Sequence, residues 1–215
     1  ILDWTIEHWG PRSPKLVAEV HEHQGEALSV LESRGFCSAG VVAVTRVYDL
    51  AQKRAEPVSL GPGFKTVTMS ENGDFDSKAL LYMNGFSGVD EVSELDLLTL
   101  EYSRLNPAYD PRFDFSVVTP EGRHVATCVG FVEPEFGMAE VEKICTHSQY
   151  RRLGLGEAVV RVCFSQLAEC GIHTAYITGY SNEANGLYEK LGPSTRKQWF
   201  HYVLSTPPNM TASLR

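Results

Sequence analysis

The stretch Val141–Val160, VEKICTHSQYRRLGLGEAVV, sets Arg151-x-x-Gly154-x-Gly156 between a strand-like run and an amphipathic helical run. Glycines at 154 and 156 let the backbone curl without Cβ clashes. The N–H groups of Arg151, Arg152, Leu153, Gly154, Leu155 and Gly156 can then point inward at the positive end of a helix dipole. That is an anion site, and a pyrophosphate needs such a cradle. The spacing separates nucleotide classes. A Walker loop requires Gly-Lys-[Ser/Thr], which is absent. A dinucleotide fingerprint requires three glycines directly after the first strand, with an acid about 20 residues on. Here the loop follows the fourth strand of its region and an arginine leads it. The plainer reading of the same residues is a surface turn that caps a helix.

Other titratable residues precede the loop. Glu140 and Glu142 are two apart in a strand-like run, so both project from one face. A carboxylate set in a sheet is raised in pKa by desolvation, toward useful basicity. The alternative is pairing with Lys143, an arginine or solvent. His147, at the mouth of the loop, titrates near neutrality and is expected to be solvated. Cys145 invites a reading as a nucleophile, but no partnered histidine and acid support it.

These residues need elements to hold them. Ile1–Ile6 reads as a strand, and Leu16–Arg34 as a helix with a stripe of Val20, Ala27, Leu28 and Leu31, stopped by Gly35. Val41–Val47 reads as a strand. Residues 51–63, AQKRAEPVSLGPG, read as a linker. From there the pattern predicts strands at Phe64–Met69, Phe113–Val118, His124–Val132, Met138–Thr146, Thr174–Thr178 and Trp199–Leu204. It predicts helices at Asp76–Met83, Glu91–Tyr102, Gly154–Cys170 and Asn182–Leu191. The order implies an α+β fold, layered as in α/β proteins, with a mixed central sheet flanked by helices. Three regions follow: 1–50, a linker at 51–63, and a main domain at 64–215.

The formal net charge of −8 argues against nucleic-acid binding, which needs a basic footprint. Nothing reads as a membrane span. Five cysteines without a CxxC pair suit a reducing, cytoplasmic setting and no metal site.

A second run, Ala184-Asn185-Gly186-Leu187-Tyr188-Glu189-Lys190-Leu191-Gly192, follows the first after one strand. Together the two runs resemble the GNAT superfamily of acetyltransferases, with a Leu-Tyr-x-x-x-Gly helix after the Arg-x-x-Gly-x-Gly loop. Pro193 stands where that family usually has Phe. Residues 1–50 resemble the tail of a second, degenerate copy, as in a tandem GNAT protein, with a structural role. The resemblance implies the GNAT acyl-CoA N-acyltransferase fold, acetyl-CoA as cosubstrate, and direct attack of a small-molecule or peptide amine on the thioester. It further implies that Glu140 or Glu142 is a base and that Tyr188 reaches the cofactor sulfur and protonates the thiolate. Backbone groups of Ile144, Cys145 and Thr146 would pair with the pantetheine amides, and Asn182 would orient that chain. Domains of this family often dimerise. Two other readings stay open: a coenzyme A-binding sensor or interaction module without turnover, and a different acyl group or acceptor. The acceptor pocket would lie by the helices of 76–103 and the final strands, with Tyr82, Phe86, Tyr102, Tyr109, Trp199 and Tyr202 as candidate walls.

Overall fold

Alternating burial along Met138–Thr146 makes that run a strand, with the ends the sequence predicts. The computed structural model describes residues 1–51 and 59–205, so the linker expected at 51–63 falls largely outside the described residues. In chain order the elements are α1 (Leu2–Trp9), β1 (Lys15–His21), α2 (Gly25–Ser33), β2 (Cys37–Asp49), β3 (Lys65–Thr68), α3 (Phe75–Tyr82), α4 (Glu94–Ser103), β4 (Tyr109–Val118), β5 (His124–Glu133), β6 (Met138–Thr146), α5 (Leu155–Glu169), β7 (Thr174–Gly179), α6 (Asn182–Lys190) and β8 (Thr195–Ser205). A π-helical turn, Met83–Ser87, follows α3. The expected α+β class, a mixed sheet flanked by helices, is the one observed.

Packing divides the described chain into two units. The first holds Ile1–Thr45, Gly179–Asn182 and the described residues from Arg196 on. Its strands run in the order β1-β8-β2. β1 pairs antiparallel with β8, from Lys15–Ser205 to His21–Trp199. Val20, Leu31, Phe36 and Tyr202 form its core, with Leu2, Ile6, Leu16 and Leu28 packed on them.

Two expectations are corrected in this unit. Residues 2–9 are helical, not a strand. Leu2 and Ile6, four apart, share the face that meets the core, while Trp4 is exposed. The helix expected over 16–34 is a strand followed by a shorter helix. Leu16, Ala18 and Val20 turn inward in alternation, and β8 supplies their hydrogen-bond partners. Leu28 and Leu31 keep the helical stripe, but Ala27 is exposed. Gly35 stops the helix at φ 82°, as expected.

The second unit holds Arg46–Thr178 and Glu183–Thr195. Its strand order is β2-β7-β6-β5-β4-β3. β3 to β6 pair antiparallel, and β6 pairs parallel with β7. α5 covers one face with Val159, Val160, Cys163, Phe164 and Leu167, all buried. Each such side chain contributes about 1.5–3 kcal/mol when fully buried. Gly130 lets the helix close in: a Cβ there would lie 3.5 Å from the Cys163 Sγ. The opposite face receives α3, whose start is capped by Asp74 accepting from the Ser77 N–H at 3.0 Å.

His124 opens β5 and is 1% exposed. Its backbone N–H donates to the Ser77 hydroxyl at 3.0 Å, but its Nδ1 has no hydrogen-bond partner among the described residues. Burial first, then the Lys78 ammonium, holds the imidazole down at about 4. The folded chain therefore keeps it neutral, whereas the unfolded value is about 6.5. As pH falls below that value, the unfolded state takes up a proton that the folded state refuses. Stability present above about 6.5 is thus lost progressively until pH reaches about 4. Urea unfolding across this window is expected to show a loss of about 3 kcal/mol attributable to this residue. His124→Gln should flatten that slope; an unchanged slope would contradict the assignment.

Candidate active site

β6 carries the site because it is paired differently along its two edges. Against β5 it runs antiparallel from Glu133–Met138 to Ala126–Thr146, with a register slip between Val129–Glu142 and Thr127–Cys145. The slip is a β-bulge, and Lys143 accommodates it at φ 51°. Against β7 the pairing covers Met138–Thr174, Ala139–Ala175 and Glu140–Tyr176 and stops. Beyond Glu140 the two strands part. Among the described residues, the edge of Val141–Thr146 that faced β7 has no strand beside it.

β6 leads into the glycine loop. Arg152 at φ 64° and Gly154 at φ 77° turn the chain, and α5 begins at Leu155. The first hydrogen bond at the head of α5 runs from the Ala158 N–H to the Gly154 carbonyl at 3.0 Å, so the N–H groups before it have no carbonyl of the helix to reach. These amides stand at the head of a 15-residue helix, where the dipole is positive. Gly156 serves close approach: a Cβ there would lie 3.0 Å from the Thr146 Oγ1 and 3.6 Å from the Leu187 Cδ2. Leu153 is exposed and Leu155 is buried, so the loop straddles the surface. Of the residues expected to bind an anion, Arg151–Gly154 are exposed, while Leu155 and Gly156 are buried.

Several neighbours hold this loop, and sequence patterns did not reveal them. The Arg151 guanidinium donates to the Gly85 carbonyl at 3.0 Å and to the Thr146 carbonyl at 3.3 Å. The Ser148 N–H donates to Asn84 Oδ1 at 2.6 Å, and Asn84 Nδ2 donates to Asp90 at 2.7 Å. Gly85 lies so near β6 that a Cβ would sit 2.8 Å from that of Cys145. His147, expected in solvent, is instead 1% exposed. Arg123 Nη2 lies 2.6 Å from its Nε2, and Asp90 lies 3.4 Å from the same atom. Burial, with the Arg123 charge, lowers its pKa. The physical reason is that β5 and the Asn84–Asp90 turn close over it, which no local pattern shows.

Glu140 and Glu142 share an exposed face, opposite Phe131 and Val129 of β5. Partial desolvation first, then the Glu142 carboxylate, raises the Glu140 pKa. Tyr188 on α6 is 6% exposed, and burial pushes its phenol up to about 12. The Tyr188 carbonyl accepts from the Tyr48 hydroxyl at 2.8 Å, while Arg46 donates to Glu189 at 2.9 Å and to Asn185 at 2.7 Å. These contacts fix the helix that carries the phenol. Asn182 is the first residue of α6. The Cys145 thiol is 7% exposed and pushed up to about 12 by burial, so it stays protonated and is no nucleophile.

On the glutamate face a narrow cleft opens between α3, α4 and the sheet, lined in part by Tyr82, Tyr109, Phe131 and Lys143. Its floor is a buried ion pair of Lys78 and Asp114. Asp114 also accepts from the Tyr109 hydroxyl at 2.9 Å, and Lys78 donates to the Ser116 hydroxyl at 3.2 Å. Of the six aromatic residues considered for an acceptor pocket, Tyr82 and Tyr109 line this cleft. Phe86 and Tyr102 are 61% and 71% exposed. Trp199 and Tyr202 belong to the first unit.

The sequence that builds this site matches a known family. The model of the Acetyltransferase (GNAT) family matches residues 82–192, just over half of the chain. The chain belongs to that family. Among solved structures, it is similar to a GCN5-related N-acetyltransferase from Sphaerobacter thermophilus at 15% identity and a TM-score of 0.72, covering 96% of this chain and 66% of that one. It is similar to one from Kribbella flavida at 18% identity and a TM-score of 0.57, covering 100% and 77%. It is also similar to a tandem GNAT protein of the clavulanic acid biosynthesis pathway at 14% identity and a TM-score of 0.68, covering 90% and 65%. At these identities the likeness is one of fold. The comparison with curated proteins finds no match. Among the described residues, no helix is long and apolar enough to cross a membrane, and all five cysteines are free.

Arg151 joins the loop to the turn after α3 through two carbonyls. Arg151→Ala is expected to speed amide exchange across residues 84–88 and 147–153 about tenfold, a loss of about 1.4 kcal/mol of local protection. Global unfolding should move little. Unchanged exchange would show that the loop does not depend on this side chain.

Proposed function

We propose that this chain transfers an acetyl group from acetyl-CoA to a primary amine of a small molecule or peptide. The observation that supports this most is the unpaired edge of Val141–Thr146 running into the glycine loop, Arg151–Gly156, at the head of α5. An extended ligand can add to a strand edge through its amides, here at Ile144, Cys145 and Thr146. A pyrophosphate suits the helix head that follows. Acetyl-CoA has both parts in that order, and when bound it supplies an activated acetyl thioester.

The chain's own residues manage protons and position. An alkylammonium with a pKa of about 10.4 must lose a proton before it attacks. Glu140, raised by desolvation and by Glu142, is the acceptor of that proton, directly or through water. Tyr188 holds its proton at neutral pH, because burial puts its pKa at about 12, and gives it to the departing sulfur. A β6 backbone N–H beside the bulge polarises the thioester oxygen. The first unit, with its own core and no glycine loop, is structural.

Thiol release from acetyl-CoA with a panel of amines tests this reading. Turnover is expected, and Tyr188→Phe should lower kcat about 100-fold with the acetyl-CoA KM little changed. Binding without turnover across the panel would leave a coenzyme-binding module instead. The kcat profile should fall on the acid side at a pH above the ordinary carboxylate value of about 4.3, since a raised pKa means the base is lost earlier on acidification. That limb should vanish in Glu140→Gln. Gly156→Val, whose Cβ would crowd Thr146 at 3.0 Å, should weaken acetyl-CoA at least ~10-fold by calorimetry. Wild-type affinity in that variant would place the coenzyme elsewhere.

A further inference from the structure

The cleft beside the two glutamates carries charges that the transfer chemistry does not use. Lys78, Arg104, Asp114 and Lys143 all line it. Asp114 is consumed by Lys78 and Tyr109, so it offers no free carboxylate to a ligand. Lys143 and Arg104 are different. Among the described residues neither has a carboxylate within ion-pair distance. Arg104 lies over the Phe75 and Tyr109 rings, at 5.0 and 6.0 Å from their centroids, and Lys143 over the Tyr82 ring at 5.7 Å. Aromatic faces lie against both cations; burial lowers the Lys143 pKa, and the Asp114 and Glu142 carboxylates oppose that shift.

Lys143 is set there by the bulge, next in sequence to Glu142. Glu140 and Glu142 project on the face of Phe131 and Val129, which also line the cleft. The sheet face thus presents two carboxylates, and the adjoining cleft is lined by Lys143 at the bulge and by Arg104 at the C-terminal end of α4. In a chain of net charge −8, a cleft edged by free cations does not follow from overall composition. An acceptor that meets both sets has an ammonium at one end and an anion a few atoms away. A guanidinium fork matches a planar carboxylate.

Building on the N-acetyltransferase reading above, we propose that the acceptor is an amine bearing a carboxylate, an amino acid or close relative. Lys143 and Arg104 bind that carboxylate while the amino group faces Glu140 and Glu142. Lys78 and Asp114 act as the fixed floor.

The test compares free L-amino acids and ω-amino acids with their methyl esters as acceptors, using the full chain and acetyl-CoA. The best free acid is expected to exceed its ester about 100-fold in kcat/KM, the scale of hydrogen bonds to a charged group. The ratio should fall below about tenfold in Lys143→Met and in the exposed Arg104→Met, and Arg104→Glu should favour diamines. Esters or diamines used as well as free acids by the wild type, or a ratio unmoved in both methionine variants, would overturn the inference. If no amine is acetylated, the transferase reading itself fails, and binding of N-acetyl amino acids by calorimetry decides this one. Saturable binding lost in Arg104→Glu sustains the carboxylate site, and no binding removes it.

Discussion

Strands β6 and β7 share a sheet for three residue pairs and then separate, and the site depends on that separation. A strand edge inside a fold leaves N–H and C=O groups that must find partners. Here one edge of β6 pairs with β5 on both sides of the bulge, while the other is released after Glu140. The bulge at Lys143 bends the strand at the same place, and Gly156 brings α5 against its end. An open edge, a helix head and a pair of carboxylates are thereby placed on consecutive residues of one segment.

Burial then divides the titratable groups by task. Glu140 is partly desolvated and raised, but it stays at the surface where a proton can leave. Tyr188 and Cys145 are buried and both keep their protons, yet only the phenol rides on the helix that Tyr48 and Arg46 anchor beside the loop. His147 is buried beside Arg123 and Asp90, and burial first, then the Arg123 charge, lowers its pKa. Burial raises the carboxyl, phenol and thiol and lowers the imidazole, so the surroundings decide which of these groups holds a proton.

The glycine loop was legible in the sequence because its requirement is local: Gly154 must reach φ 77° and Gly156 must lack a Cβ. The shared face of Glu140 and Glu142 was legible for the same reason, since strand alternation needs no distant partner. β1 was not. Leu16–Val20 becomes a strand only because Lys15 pairs with Ser205, at the far end of the described chain, and a helix was a fair reading of the residues alone. The bulge at Lys143 was equally hidden, for nothing in Glu-Lys-Ile marks a left-handed residue. The burial of His147 and the ion pair of Lys78 with Asp114 come from elements far apart in sequence, and periodicity carries no such information.

Amide NMR during titration with coenzyme A tests the central claim most directly. Saturable shifts should concentrate at Ile144–Thr146 and Arg152–Gly156, with the parallel pairs at Met138–Glu140 left still. Shifts absent from both segments, or gathered in the first unit, would contradict the placement of the coenzyme between the parted strands.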